Sequence, residues 1–180
     1  MRDLVVGIGE CQVSNNSEAR LVTYALGSCI AIAIYDPVSR VGGLLHYLLP
    51  DSRLDVAKSE RQPFMFADTG IPALFQLALS MGAVKKRLCV IAVGGAKVLT
   101  SEVLEIGKQN QLAMKKILWG AGVLLYREEV GGKYFRSICV EMQSGRVLIK
   151  TGYGREEQLG SPFERMGKET VYDARHFDCR

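Results

Sequence analysis

A buried β-hairpin is the structure that this sequence constrains most strongly. Residues 29–35 (CIAIAIY) are apolar and rich in β-branched side chains, which predicts a buried strand. Residues 36–40 (DPVSR) are typical of a turn, because Asp, Pro and Ser favour turn conformations. Residues 41–49 (VGGLLHYLL) are again apolar and predict the returning strand. The rest of the chain is expected to be organised around these two strands.

The hairpin brings a cysteine close to a histidine. With its turn centred near Val38, Ile30 faces His46, and Cys29 lies one step away. A thiolate can attack a carbonyl carbon, and an imidazole can take the thiol proton and later protonate the leaving group. Thr23, six residues before Cys29, is a candidate for a third, orienting group. The segment therefore predicts a site for cysteine-based acyl chemistry.

A bend precedes the cysteine. Gly27 and Ser28 separate a predicted strand at residues 20–26 from the strand that begins at Cys29. Residues after a tight turn can direct backbone N–H groups at one point, and such donors stabilise the oxyanion that forms in acyl transfer. We therefore expect the N–H of Cys29 to be a donor of this kind.

The same residues are compatible with ordinary packing. A buried cysteine is usually inert, and a single histidine on an apolar strand is more often a hydrogen-bonded core residue than a catalyst. Spacing alone leaves both interpretations open.

The composition is that of one globular domain. The chain has 180 residues and is 48% hydrophobic, which is ample material for a core. No apolar run reaches the roughly 18 residues needed to span a membrane. The N-terminus has too short an apolar stretch for a secretory signal. We therefore expect a cytoplasmic protein.

Cysteine spacing and charge argue against several classes of site. The five cysteines are odd in number, far apart and without C-x-x-C spacing, which argues against a disulfide framework and a zinc site. The net charge is +4, and the short basic clusters lack the aromatic interleaving of a nucleic-acid binder. We expect no zinc site and no nucleic-acid partner.

Two helices complete the main body. The first is capped by Asp68 or Thr69 and extends to about Met81. The second spans residues 107–119, with Trp119 in the core. These helices are predicted to pack on a mixed, mainly antiparallel β-structure, which makes an α/β fold.

Further strands and loops follow from local patterns. Strands are predicted at residues 4–8, 20–26, 88–93, 123–127, 134–142 and 146–150. The last three are expected to be antiparallel because their connections are short. Residues 51–63 are polar and without periodicity, which predicts an exposed loop. Residues 1–150 are expected to form a single domain, and residues 151–180 a peripheral C-terminal tail.

Several spaced motifs resemble one known family. They are, in chain order, Gly7-Ile8-Gly9-Glu10, Thr23-x3-Gly27-Ser28-Cys29, Asp36-Pro37, Gly42-x3-His46-x3-Pro50, Gly94-Gly95-Ala96, Ile106-Gly107-x2-Asn110, Gly131-Gly132 with Arg136, and Gly145. In this order the motifs are similar to those of the chemoreceptor glutamine deamidases, the CheD family of bacterial chemotaxis. The likeness covers nearly the whole body of the chain, though not clearly its final thirty residues.

The resemblance implies a layered sandwich with a site like that of Cys/His hydrolases. It implies that Cys29 attacks selected glutamine side chains of a chemoreceptor, that His46 moves the protons, and that Thr23 orients His46. No metal or cofactor is implied. The residues that the resemblance assigns to the substrate pocket are Gly27, Ser28, Gly95, Asn110 and Arg136.

The resemblance also implies partners. The substrate is the cytoplasmic helical domain of chemoreceptors, and a CheC-type phosphatase is a second partner. A non-catalytic adaptor that binds these two proteins is an alternative function. Hydrolysis of glutamyl methyl esters at the same site would proceed through the same acyl-enzyme, so the sequence does not separate the two reactions.

Overall fold

The computed structural model describes residues 1–97, 105–152, 154 and 156–161. Within these ranges the chain forms ten strands and three α-helices. The strands are β1 (Arg2–Val5), β2 (Glu10–Ser14), β3 (Ala19–Leu26), β4 (Ile30–Asp36), β5 (Val41–Tyr47), β6 (Cys89–Gly94), β7 (Arg127–Val130), β8 (Arg136–Glu141), β9 (Val147–Thr151) and β10 (Glu156–Gly160). The helices are α1 (Val56–Arg61), α2 (Ala67–Ser80) and α3 (Ile106–Gly120), with short 3-10 turns at Ser52–Leu54, Pro63–Met65 and Lys85–Arg87.

The strands form two five-stranded sheets. The first has the order β1-β3-β8-β9-β10, and the second has the order β2-β5-β4-β6-β7. The first sheet contains one parallel pair, β1 with β3, and the second contains one, β6 with β7. All the other strand pairs of these two sheets are antiparallel. The prediction of a mixed, mainly antiparallel sandwich with two main helices is confirmed.

Two apolar cores hold the layers together. The core between the sheets includes Leu21, Ala33, Tyr35, Leu44, Ile91 and Val140. The core between the second sheet and the helices α2 and α3 includes Ile32, Leu45, Ile71, Leu74, Met114 and Leu118. Successive side chains of a strand point to opposite faces, so β4 contributes to both cores and is buried along its whole length.

The predicted hairpin is present, but its register differs by one residue. Ala31, not Ile30, is paired with His46, while Ile30 is paired with Tyr47. The cause is the turn, which has four residues between the paired Asp36 and Val41, so that its centre lies after residue 38. This register places residues 29, 31 and 46 on one face of the sheet.

The buried Asp36 carboxylate organises the hairpin turn. It accepts hydrogen bonds from the N–H groups of Val38, Ser39 and Val84, and from the guanidinium of Arg87. Burial alone would raise the pKa of Asp36, but the hydrogen bonds from Arg87 and the three N–H groups hold the pKa well below its usual range. The Asp-Pro turn is therefore stabilised both from within and by the segment that leads into β6.

Three local predictions were wrong. The strand predicted at residues 123–127 is β7 at Arg127–Val130, which is parallel to β6 in the second sheet and not antiparallel to β8. Residues 51–63 hold a 3-10 turn, α1 and the start of a second 3-10 turn instead of a plain loop. Trp119 is 81% exposed because its face of α3 points away from the second sheet. The strand β2, which includes Cys11, was not predicted.

The start of α2 also differs from the prediction. Phe66 occupies the N-cap position and makes no side-chain cap. Asp68, in the first turn, accepts hydrogen bonds from the N–H and hydroxyl of Ser52 instead. The carboxylate therefore ties the segment after β5 to the helix, while its negative charge still lies favourably at the helix N-terminus.

The chain continues in the sheet beyond residue 150. The strand β10 pairs with β9 at the edge of the first sheet, so the first part of the expected tail is an edge strand. Residues 162–180 of that tail lie outside the described residues. No helix of the described part is both long enough and apolar enough to cross a membrane.

Candidate active site

The chain passes from the first sheet to the second at residues 27–29. The strand β3 belongs to the first sheet and ends at Leu26, while β4 belongs to the second. The ladder between β3 and β8 is irregular between Thr23 and Leu26, and Ala25 in this bulge has a left-handed φ of 55°. A bulge bends a strand, and here it turns the backbone toward the second sheet, so that Cys29 lies where the two sheets meet.

The register of β4 and β5 brings Cys29 and His46 to the same face. His46 is paired with Ala31, and Cys29 lies two residues before Ala31. Cys29 lies one residue beyond the last pair of this ladder, Ile30 with Tyr47. Both side chains are buried, with 8% of Cys29 and 2% of His46 exposed, and Cys29 packs in the core between the sheets.

Thr23 determines the tautomer of His46. Its Oγ1 lies 2.6 Å from the carbonyl oxygen of Val6 and 2.8 Å from Nδ1 of His46. A carbonyl can only accept, so the single hydroxyl proton of Thr23 is donated to Val6. Thr23 must then accept from Nδ1–H, which leaves Nε2 of the neutral imidazole without a proton. His46 is thus prepared to act as a base through Nε2.

The Nε2 atom of His46 is a buried acceptor without a donor. It makes no hydrogen bond to any described residue. A buried polar atom in this state is unfavourable for stability, and a catalytic role is one reason for which proteins keep such an atom. Catalytic hydrogen bonds are often long before the substrate binds, so this state fits a base that engages Cys29 during the reaction.

Burial keeps both reactive groups neutral. It lowers the pKa of His46 from 6.5 to about 4, and a hydrogen bond to the backbone at Val6 opposes this only in part. Burial raises the pKa of the Cys29 thiol, and its own backbone N–H offsets only part of that shift. Near pH 7 the resting pair is therefore a thiol and a neutral imidazole, not a thiolate and an imidazolium.

A cavity of about 810 Å³ opens beside Cys29. It is lined by Ala25, Gly27, Ser28, Cys29, Gly95, Ala96, Lys97, Glu105, Ile106, Gly107, Lys108, Gln111, Gly131, Gly132 and Phe135. Three of the predicted pocket residues, Gly27, Ser28 and Gly95, are in this wall. The sequence did not indicate Gln111 or Phe135, because the wall is assembled from segments far apart in the chain and no local pattern marks them.

The end of β6 is hydrogen-bonded to the backbone on both sides of Ser28. The N–H of Gly95 donates to the carbonyl of Cys29 at 2.7 Å, and the N–H of Ala96 donates to the carbonyl of Gly27 at 2.7 Å. On the other side, the amide of Gln111 donates to the carbonyl of Gly95 at 2.8 Å. The predicted Gly94-Gly95-Ala96 motif therefore holds the bend at residues 27–29 in place.

Asn110 and Arg136, also predicted as pocket residues, lie behind the cavity wall. Asn110 is completely buried, and its amide nitrogen donates to the carbonyls of Ser28 and Leu48. Arg136 is 5% exposed and donates to the carbonyl of Gly131 at 2.6 Å and to a carboxylate oxygen of Glu129 at 2.9 Å. Neither side chain lines the cavity. Arg136 supports the Gly131-Gly132 turn, which does.

The described residues contain no cluster of three or more His, Cys, Asp or Glu side chains that could hold a metal ion. Among the described residues, Cys11, Cys29, Cys89 and Cys139 form no disulfide bond. Cys179 and His176 lie outside the described residues.

Comparisons with known proteins point in one direction. Residues 48–151 match the family model described as CheD chemotactic sensory transduction. The chain is 45% identical over 168 residues to the probable chemoreceptor glutamine deamidase CheD of Solibacter usitatus, covering 93% of this chain and 99% of that protein. It is 48% identical over 160 residues to the probable chemoreceptor glutamine deamidase CheD 1 of Syntrophus aciditrophicus, covering 88% of this chain and 100% of that protein. An alignment of 168 residues in a chain of 180 includes the segment from Thr23 to His46.

Proposed function

This chain belongs to the CheD family, and from that membership we propose that it is a chemoreceptor glutamine deamidase. It hydrolyses the side-chain amides of selected glutamines to glutamate and ammonia. The single observation that supports this activity best is the Thr23–His46 hydrogen bond, which leaves Nε2 of a neutral imidazole unprotonated on the same strand face as Cys29. A thiol with a base beside it, at the wall of an open cavity, is suited to attack an amide carbon.

The first half of the reaction forms a thioester. His46 Nε2 takes the proton of the Cys29 thiol while the sulfur attacks the carboxamide carbon of the substrate. The carbonyl oxygen becomes an oxyanion, for which the Cys29 N–H is the proposed donor. The imidazolium then gives its proton to the departing nitrogen, the C–N bond breaks, and ammonia leaves. Proton transfer and attack are expected to be concerted, because the buried site disfavours a standing ion pair.

The second half releases glutamate. His46 Nε2 takes a proton from water, and the hydroxide attacks the thioester carbon. The C–S bond breaks, and the imidazolium returns its proton to the sulfur. Throughout, Thr23 holds Nδ1 and so fixes the ring orientation. Thr23 is neutral and adds little electrostatic stabilisation to the imidazolium, unlike the carboxylate of other triads.

Substrate recognition is proposed to combine one inserted side chain with contacts at the cavity mouth. Gly27, Ser28 and Gly95 line the wall beside Cys29, where the glutamine side chain enters. Phe135, which also lines the cavity, is 50% exposed. An exposed aromatic side chain at a cavity suits contact with a helical receptor domain. We propose that this surface binds the helical domain of the receptor and, from membership in the CheD family, that the protein acts in the cytoplasm.

The methyl ester of a receptor glutamate is a second candidate substrate of the same site. Attack by Cys29 would give the same thioester, with methanol as the leaving group instead of ammonia. Parallel incubations with glutamine-bearing and methylated receptor fragments separate the two activities, since peptide mass spectrometry identifies the residue that changes.

A CheC-type phosphatase is proposed as a partner that covers the cavity mouth. An occupant of this surface would compete with the receptor as a pseudosubstrate. Alkylation of Cys29 with a bulky maleimide is expected to weaken phosphatase binding, and added phosphatase should raise the apparent KM of deamidation. Unchanged phosphatase affinity after alkylation would mean that the two surfaces are separate. The same result would leave the deamidase activity itself intact.

The experiment that tests the proposed function is incubation of a receptor cytoplasmic fragment with the protein, followed by peptide mass spectrometry. Specific glutamines are expected to become glutamates. A folded protein that binds the fragment but converts no glutamine would instead be the non-catalytic adaptor.

A further inference from the structure

Asn110 joins the two strands that carry the proposed nucleophile and base. Its Nδ2 donates one hydrogen to the carbonyl of Ser28 at 2.9 Å and the other to the carbonyl of Leu48 at 2.8 Å. Ser28 directly precedes Cys29, and Leu48 lies two residues after His46. Both hydrogens of one amide nitrogen are therefore bound to the backbone beside the Cys29–His46 pair.

These hydrogen bonds lie at the end of the ladder between β4 and β5. The last pair of that ladder is Ile30 with Tyr47. Beyond that pair the two chains separate, since the N–H of Leu48 donates to Met65. The side chain of Asn110 thus takes the place of a further rung between the strands. The backbone of Asn110 is also fixed in place, because the hydroxyl of Tyr47 donates to the carbonyl of Asn110 at 2.9 Å.

From this geometry we infer that Asn110 is a positioning residue, which sets the separation between Cys29 Sγ and His46 Nε2 and does not bind the substrate. Its complete burial and its place behind the cavity wall keep it from the substrate. Both hydrogen bonds of its Nδ2 go to backbone carbonyls beside the Cys29–His46 pair, which favours a role in the geometry of that pair.

The test uses Asn110→Asp, which keeps the shape of the side chain but donates at most one hydrogen bond when protonated and none when ionised. Asn110→Ser, which is smaller and keeps one donor, serves as a second variant where Asn110→Asp folds poorly. Tyr35→Phe is the matched control. It removes one buried side-chain hydrogen bond, from Tyr35 to the carbonyl of Met142, at the far end of the same strand β4. Activities are compared at equal folded fraction, measured by urea unfolding.

Two readouts are measured. The first is deamidation of a receptor fragment, where the kcat of Asn110→Asp is expected to fall about 100-fold with KM within about twofold, because a displacement of about 1 Å between reacting groups has this effect. The second is Cys29-dependent hydrolysis of p-nitrophenyl acetate, which needs no receptor and should fall to the level of His46→Ala. Asn110→Ser should fall less, and Tyr35→Phe should match the wild type in both.

Three outcomes would overturn the inference. A raised KM with unchanged kcat would make Asn110 a substrate-binding residue. If the activity of the Asn110 variants fell only in proportion to their folded fraction, Asn110 would have a purely structural role. Unchanged rates in both assays would give it no role. Only the receptor readout depends on the proposed function. A wild-type protein that hydrolyses the ester but leaves the receptor fragment unchanged would contradict the proposed function, and the ester assay would still test the role of Asn110.

Discussion

The carbonyl oxygen of Cys29 occupies the space that a side chain at Gly94 would need. A Cβ atom placed on Gly94 would lie 2.3 Å from this oxygen, far inside any real contact. Gly94 also has a φ of 119°, a conformation that other residues rarely adopt. The glycine at the end of β6 is therefore required for the close approach of β6 to the backbone of Cys29.

Gly94→Ala is expected to destabilise the protein more than an alanine at another strained glycine. Gly82 is the matched control, because its φ is 95° and a Cβ atom placed on it would have no atom within 4 Å. Gly82→Ala should lower the free energy of unfolding by about 1–2 kcal/mol through backbone strain alone. Gly94→Ala should cost about 2 kcal/mol more, because the clash involves backbone that cannot move aside. Equal losses in urea unfolding would contradict the close-approach explanation.

Thr23 is predicted to act only through the orientation and tautomer of His46. Thr23→Val keeps the shape but removes the hydroxyl, so kcat should fall by about 10- to 100-fold, while KM stays close to the wild-type value. Thr23→Ser keeps the hydroxyl and should restore most of the activity. His46→Ala removes both proton transfers and should lose nearly all activity. A Thr23→Val variant worse than His46→Ala, at equal folded fraction, would reverse these roles.

The pH dependence of kcat/KM should have an unusually low acid limb. His46 must be unprotonated to accept the thiol proton, and its pKa in the free protein is about 4. Activity should therefore persist below pH 6 and decline near pH 4. It should stay level through neutral pH because the pKa of Cys29 is raised. An acid limb at the ordinary histidine value, with the protein still folded, would show that His46 is not held in this buried state.

Stability should fall as the solution is acidified from pH 7 to pH 5. The folded-state pKa of His46 is about 4 and its ordinary value is 6.5, so the unfolded chain binds a proton in this window that the folded protein does not. The free energy of unfolding should drop by about 2 kcal/mol between pH 7 and pH 5. The carboxylate of Asp36 titrates below this window. Urea unfolding of His46→Gln should show a flatter profile, and an equal slope in both proteins would assign the effect to other groups.

Much of the fold could be predicted because it follows from local patterns. The two apolar runs around residues 36–40 define a hairpin by composition and turn chemistry alone. The predicted register was wrong by one residue because a four-residue turn and a tighter one look alike in sequence. The position of β7 was missed for another reason. Its partner β6 lies more than thirty residues earlier in the chain, and parallel pairing across that distance leaves no local signal.

The candidate site likewise contains residues that could be predicted from the sequence and residues that could not. Thr23, Cys29 and His46 could be named as candidates because their side chains carry recognisable chemistry at short spacing, and the family resemblance favoured a catalytic role over ordinary packing. The hydrogen bond between Thr23 and Nδ1 of His46 is present, as expected of an orienting group. The place of Asn110 could not be predicted, since it depends on how α3 packs beneath the ends of β4 and β5. The exposure of Trp119 likewise depends on which face of α3 meets the sheet.

The most direct test of the account is the mass of a receptor cytoplasmic fragment after incubation with wild-type protein and with Cys29→Ala. Each deamidation replaces NH2 by OH and adds about one dalton. The wild type should add this mass at specific glutamines. Cys29→Ala should add none, while it remains folded and still binds the receptor fragment. Glutamine conversion by Cys29→Ala at the wild-type rate would contradict the mechanism outright.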